Sequence, residues 1–315
     1  SLDNASNRKN TSALELEIDT TIPVANLVLT DNNMWTSDTT PSISFNLTDN
    51  MDNVVNYSIL VDGSLVNASS LANNTQVIYT FEGALLNGAR SIVVEALDEV
   101  GNRANSSVLT LNIDAIVPVS NLVMTSNGTW TSDTTPTIYF NLTDNLDSVV
   151  NYSIFADGTL VNASWVTNNT QLAYTFESAL TDGARNIVVE ALDEASNRAN
   201  SSILVLNVDT TNPEVTSLGH PLSEIITVNT TIEFNFTATD NLDTNLSYTM
   251  YLDGVANATG YTQANNTEVL FNVSGFTNDA DYTWTIGVSD GAGNAVNYSG
   301  LFNFTVNDTE GPQTS

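Results

Sequence analysis

Apolar and polar side chains alternate with a period of two through most of this chain, and helical spacing is nearly absent. Ser42-Ile43-Ser44-Phe45-Asn46-Leu47-Thr48 puts Ile43, Phe45 and Leu47 on one face and Asn46 on the other. Asn56-Tyr57-Ser58-Ile59-Leu60-Val61 does the same with Tyr57, Ile59 and Val61. Such alternation predicts half-buried β-strands. Further strands are expected at about 24–30, 66–69, 75–81, 89–97 and 104–113. Asp62-Gly63, Asp157-Gly158 and Asp253-Gly254 read as hairpin turns between neighbouring strands. Seven short strands separated by turn signals describe a β-sandwich of immunoglobulin type.

The pattern is written three times. Asp19, Asp114 and Asp209 fall 95 residues apart, as do Pro23, Pro118 and Pro213. Residues 19–113 and 114–208 align without a gap and match at 66 of 95 positions. A more divergent third copy fills 209–307. A unit of that size buries its own core, so each copy is a domain rather than a solenoid rung. The expected organisation is all-β: tandem seven-stranded sandwiches in a linear array, at 19–113, 114–208 and 209–307. Residues 1–18 read as the last strand of a preceding repeat, because Ser1–Arg8 matches 191–198 and Ala13–Ile18 matches Val108–Ile113. Residues 308–315 read as a linker to a following repeat. An unpaired last strand would leave backbone groups and Leu14, Leu16 and Ile18 exposed. It is therefore expected in a sandwich supplied by preceding chain or by a neighbouring subunit.

Composition narrows the function. Net charge is −30, from 36 acids against 6 bases, which argues against nucleic acid and anionic membrane as partners. Without cysteine, neither disulfides nor thiolate metal sites hold the fold. No apolar run approaches the ~18 residues of a membrane span. Asparagine is abundant, at 43 of 315 residues, and forms 22 Asn-x-Ser/Thr sequons, against roughly 10 expected from random placement. Many recur in register: Asn46 and Asn141, Asn56 and Asn151, Asn73 and Asn168. Asn67, Asn162 and Asn257 form one such set of three, and Asn105, Asn200 and Asn297 another. The excess is read either as compositional drift or as dense N-glycosylation of an extracellular chain. The second is preferred because many sequons fall on outward strand positions.

With the seven expected strands lettered A, B, C, C′, E, F and G in chain order, alternate loops share a pole, so the linker, the B–C loop (49–52 in the first copy) and the F–G loop (98–102) meet at each domain's leading end. The first copy brings Asp19, Asp49, Asp52 and Asp98 there. The second brings Asp114, Asp144, Asp147 and Asp193, and the third Asp209, Asp240, Asp243 and Asp290. Gathered carboxylates repel unless a cation sits among them, and Ca²⁺ takes six to eight oxygens in loose geometry. The competing reading is turn chemistry, in which Asp and Asn bond their own backbone.

Leu180-Thr-Asp182-Gly183, Ile187-Val-Val-Glu-Ala191-Leu-Asp193-Glu-Ala-Ser-Asn197 and Val208-Asp209-Thr210-Thr211-Asn-Pro213 resemble the bacterial and archaeal immunoglobulin-like repeats of surface proteins. Those repeats read as an Asp-Gly turn, a Val-rich strand, Asp-x-Ala-Gly-Asn and a closing Val-Asp-Thr-Thr-x-Pro. The resemblance covers all three copies. It implies a stalk, filament or S-layer segment with Ca²⁺ at domain joints. The implied ligands are Asp19, Asp114 and Asp209, with Asp98, Asp193 and Asp290. Ser6 and Ser196 stand where the family has a loop glycine. The sequon density looks more like archaeal than bacterial surface proteins.

No catalytic set presents itself. His220 occurs once, without a counterpart in the other copies. Paired acids in triplicate suit a structural site better than a glycosidase pair. Trp35 and Trp130 are expected in the A–B loop, where the preferred reading is packing over the sandwich end or on the next domain and the alternative is a sugar-stacking platform. The reading is thus a structural glycoprotein segment whose partners are copies of itself or neighbouring subunits. The alternative is an adhesin or carbohydrate- or protein-binding array.

Overall fold

The computed structural model describes residues 12–28, 31–123, 126–221, 225–227, 231–277 and 279–307. The stub match at 1–8, Ser6 and the pattern's restart at 308–312 lie outside the described residues.

Nine strands form the first sandwich: β1 (Val24–Val28), β2 (Met34–Thr36), β3 (Ser42–Thr48), β4 (Val54–Val61), β5 (Ser64–Ala72), β6 (Gln76–Thr80), β7 (Gly88–Leu97), β8 (Arg103–Asn105) and β9 (Leu109–Ile113). The second repeats them: β10 (Val119–Val123), β11 (Thr129–Thr131), β12 (Thr137–Thr143), β13 (Val149–Ala156), β14 (Thr159–Thr167), β15 (Gln171–Thr175), β16 (Gly183–Leu192), β17 (Arg198–Asn200) and β18 (Leu204–Val208). So does the third: β19 (Glu214–Leu218), β20 (Ile225–Thr227), β21 (Thr231–Thr239), β22 (Asn245–Leu252), β23 (Val255–Ala264), β24 (Glu268–Ser274), β25 (Ala280–Ser289), β26 (Ala295–Asn297) and β27 (Phe302–Asn307).

Each sandwich faces a three-stranded sheet, ordered β1-β3-β6 in the first, against a six-stranded sheet ordered β2-β9-β7-β4-β5 with β8 on β7. This is the immunoglobulin-type arrangement the alternation predicts. Ile43, Phe45 and Leu47 of β3 close against Val55, Ile59, Ile92 and Leu111 of the opposite sheet. The third core is aromatic instead, built on Phe234, Phe236, Trp284 and Phe304. There the Trp284 Nε1–H donates to the Pro221 carbonyl at 2.8 Å.

Two expectations need correction. The segment 104–113 is not one strand. Buried Ser106 donates from its backbone N–H to Val94 O at 2.8 Å, and its hydroxyl accepts from the Val94 N–H at 3.0 Å. This local exchange interrupts the ladder between β8 and β9, and Ser201 repeats it with Val189. Trp35 and Trp130 lie not in loops but on β2 and β11, short strands pairing in parallel with β9 and β18.

Residues 12–18 adopt no strand and join no sheet, and Leu14, Leu16 and Ile18 stand exposed. Each described sandwich already holds its own last strand, β9, β18 or β27, and this segment pairs with none of the described sheets. Two compact units divide the chain: 1–118 with 144–148 and 192–198, and 119–143 with 149–191 and 199–315.

Candidate calcium sites at the leading poles

Three carboxylate clusters recur, each within a single compact unit. Asp19, Asp49 and Asp52 each bring an oxygen within 4.8 Å of the others, as do Asp114, Asp144 and Asp193, and Asp209, Asp240 and Asp290. Asp98, Asp147 and Asp243 stand beside these trios rather than in them.

Local chemistry builds each trio. The linker aspartate turns on itself: Oδ1 of Asp19 accepts from the Thr21 N–H, Asp114 from Ile116 and Asp209 from Thr211, at 2.9–3.0 Å. The B–C aspartate does likewise. Oδ1 of Asp49 accepts from the N–H groups of Met51 and Asp52, and Oδ1 of Asp240 from those of Leu242 and Asp243. Turn chemistry and a cation site are therefore compatible, because the turn uses one oxygen of each carboxylate. The other oxygen is left over. Oδ2 of Asp19, Asp49, Asp114, Asp209 and Asp240 is buried and accepts no hydrogen bond. A buried anionic oxygen without a partner is costly, and this set of oxygens fits an oxygen-seeking cation.

The F–G loop locks the third wall. Oδ1 of Asp98 accepts from the N–H groups of Gly101 and Asn102, and its Oδ2 from Asn102 Nδ2. Asn197 Nδ2 bridges Asp193 Oδ2 to the Asp114 carbonyl at 2.7 and 2.8 Å, and Asn294 joins Asp290 to the Asp209 carbonyl in the same way. Asp52 and Asp147 cap the same loops, accepting from the N–H groups of Glu99 and Glu194.

Electrostatic strain is recorded in the acids. Burial, then the charges of Asp144 and Asp193, raises the Asp114 pKa above 3.8. Burial, then Asp240, Asp290 and Asp182, raises that of Asp209, and burial with Asp290 and Asp240 raises Asp243. Asp147 is pushed up to about 6 by burial first and by Asp144, Glu194 and Asp193 next. Asp98 moves down: burial opposes this, but the bonds from Asn102 and the F–G backbone outweigh it.

One sequon asparagine also braces a site loop. Asn73 reads as a sequon, yet its Nδ2 donates to the carbonyls of Asp49 and Asp52 at 2.7 Å, and its Oδ1 accepts from the Asp49 N–H. Asn265 holds the Asp240 loop identically. The signal was the Asn-Asn-Thr triplet, whose second asparagine (Asn74, Asn169, Asn266) takes a positive φ of 57–60°, a turn conformation that Asn tolerates.

The other sequons divide by exposure. Asn56, Asn105, Asn151, Asn200, Asn257 and Asn297 are exposed, whereas Asn46, Asn67, Asn141 and Asn162 are half-buried. Asn46 stands in a cross-strand row between Asn26 and Gln76. Trp130 packs toward the third copy: its Cδ1 lies 3.5 Å from where a Cβ on Gly291 would stand.

Fold and repeat together define a tandem array of immunoglobulin-like β-sandwiches. The chain belongs to the bacterial Ig-like domain family, whose model matches residues 29–115 and 123–210, more than half its length. The model of the bacterial Ig-like domain, group 3, matches 168–309. No curated protein matches the chain. Among solved structures, a 1.5-MDa bacterial ice-binding adhesin is 17% identical over 92% of this chain and 99% of that one, with a TM-score of 0.36. A Ca²⁺-stabilized, ice-binding adhesin of an Antarctic bacterium is 18% identical over 93% and 75%, at 0.39. A tetra-tandem repeat from the extending region of a large adhesion protein is 19% identical over 90% and 74%, at 0.30. At such identities and scores the likeness extends to nothing beyond the fold.

Proposed function

We propose that this chain is a structural, N-glycosylated segment of an extracellular, cell-surface assembly such as an S-layer, filament or stalk, stiffened at its domain joints by Ca²⁺. The observation that carries the reading is the set of buried, bare carboxylate oxygens on Asp19, Asp49, Asp114, Asp209 and Asp240, repeated wherever a linker enters a sandwich. Ca²⁺ bound there would neutralise the gathered charge. Asp19, Asp49 and Asp52 would hold it in the first copy, Asp114, Asp144 and Asp193 in the second, and Asp209, Asp240 and Asp290 in the third. The second and third trios draw on three chain segments, so occupation there ties the linker to both loops; the first ties the linker to the B–C loop alone. The linkers are short, and Pro23, Pro118 and Pro213 each fix one torsion.

The partners are further copies or neighbouring subunits, and glycans shield the exposed sheet faces. Asn56, Asn105, Asn151, Asn200, Asn257 and Asn297 are the accessible acceptors. Small-angle scattering with Ca²⁺ and with EGTA tests the stiffening: the maximum dimension should be sharply defined with Ca²⁺ and blurred without it. Identical profiles would remove calcium from the account. Peptide mass spectrometry of native material tests glycosylation, and bare peptides at all six positions would remove it.

A further inference from the structure

The third sandwich differs from the first on the outer face of its six-stranded sheet. In the first, Glu95 of β7 faces Asn105 of β8, and Glu95 pairs with Arg103 at 2.5 Å. The register puts Gly287 opposite Asn297 in the third copy, so glycine replaces that glutamate. Ala295 replaces the arginine. Tyr251, opposite Thr285, takes the position of Leu60, opposite Val93. A charged pair beside an aliphatic side chain has become a neutral hollow beside a phenol ring. It is an open depression of about 330 Å³ rimmed by Ser247, Thr249 and Ser289, near the lower size of small-ligand sites.

Asn297 leans into the space. A Cβ on Gly287 would lie 2.5 Å from Asn297 Oδ1 and 3.3 Å from Tyr251 Cε2. Glycine lets the Asn297 side chain lie close over the sheet beside the tyrosine ring. Asn297-Tyr298-Ser299 is also a sequon, and Asn297 is exposed.

We propose that the hollow is a seat for the first sugar of an N-linked glycan on Asn297. The pyranose ring packs against Tyr251, and its hydroxyls meet the Ser247, Thr249 and Ser289 rim. A tyrosine offers an apolar ring with a polar tip, which suits a sugar's C–H face, and the rim carries no charge to desolvate. The seat rests on the glycosylation reading above. It adds that this glycan is ordered, whereas that on Asn105 projects from a face that keeps its acid and base beside an aliphatic Leu60.

The test uses the glycosylated chain, trimmed to the sugar attached directly to each asparagine. Occupancy is read by peptide mass, and the sugar protons by NMR. The sugar at Asn297 should show upfield-shifted resonances and cross-peaks to the Tyr251 ring, and the sugar at Asn105 should show neither. Tyr251→Leu and Gly287→Glu import the residues that the first sandwich already tolerates, so the fold should survive, and each should abolish the shift. An occupied Asn297 whose signals ignore both variants overturns the seat while glycosylation stands. Filled Asn105 and Asn200 with an empty Asn297 have the same consequence. Empty sequons throughout overturn both readings.

Discussion

Ser196 holds a φ of 72° where Gly101 and Gly293 hold 100° and 91°. Left-handed backbone costs an L-residue roughly 1 kcal/mol. Ser196→Gly should therefore stabilise the second sandwich by about 0.5–1 kcal/mol, read from its calorimetric transition. Asn73 carries the opposite expectation. Asn73→Ala leaves the Asp49 N–H and two carbonyls without their partner, and should cost about 1–3 kcal/mol. A first-domain melting temperature unchanged by it would show that the brace is idle. The raised acids set a pH dependence. Asp114, Asp147, Asp209 and Asp243 hold protons more tightly folded than unfolded. Their contribution to stability is thus present below the unfolded value near 3.8 and lost as pH rises through the folded values, which reach about 6 at Asp147. Asp62, Asp98 and Asp157 are lowered and act oppositely, losing their contribution only as pH falls below about 4. In EGTA the chain should melt higher at pH 5 than at pH 7, and added Ca²⁺ should reverse that order. A calcium-free chain more stable at pH 7 would contradict the account of the clusters.

At the scale of elements, alternation found the strands and missed what interrupts them. Ile43, Phe45 and Leu47 announce β3 because one face is wet and one is dry. Nothing in Ala104-Asn105-Ser106-Ser107-Val108 announces that Ser106 turns inward to exchange bonds with Val94, since a buried serine and an exposed one look alike in sequence. Ser106→Ala keeps the volume but strands the Val94 N–H. It should destabilise the first sandwich by about 1–2 kcal/mol in chemical denaturation, and a smaller loss would place the break's cause elsewhere. The short strand β2 was hidden for another reason: three residues are too few to show a period, so Trp35 reads as loop. The leading-pole clusters were legible because topology fixes which loops share an end. Which acids meet was not. Asp98 stays outside the first trio, while its counterparts Asp193 and Asp290, bonded to their own loops in the same way, join theirs.

For the whole molecule, the 95-residue repeat was plain in the sequence, because gap-free identity needs no structural inference. The segment 12–18 shows what repetition cannot settle. Leu14, Leu16 and Ile18 copy the spacing of Leu109, Leu111 and Ile113, yet a strand forms only where a sheet edge is open to it. The central claim is that each leading pole holds one calcium ion. Equilibrium dialysis against Ca²⁺, followed by metal analysis of the intact chain, counts them directly. The account predicts three ions per chain, with Asp114→Asn and Asp209→Asn each removing one while both variants stay folded. A chain that retains no calcium, or variants that retain the full count, would contradict it.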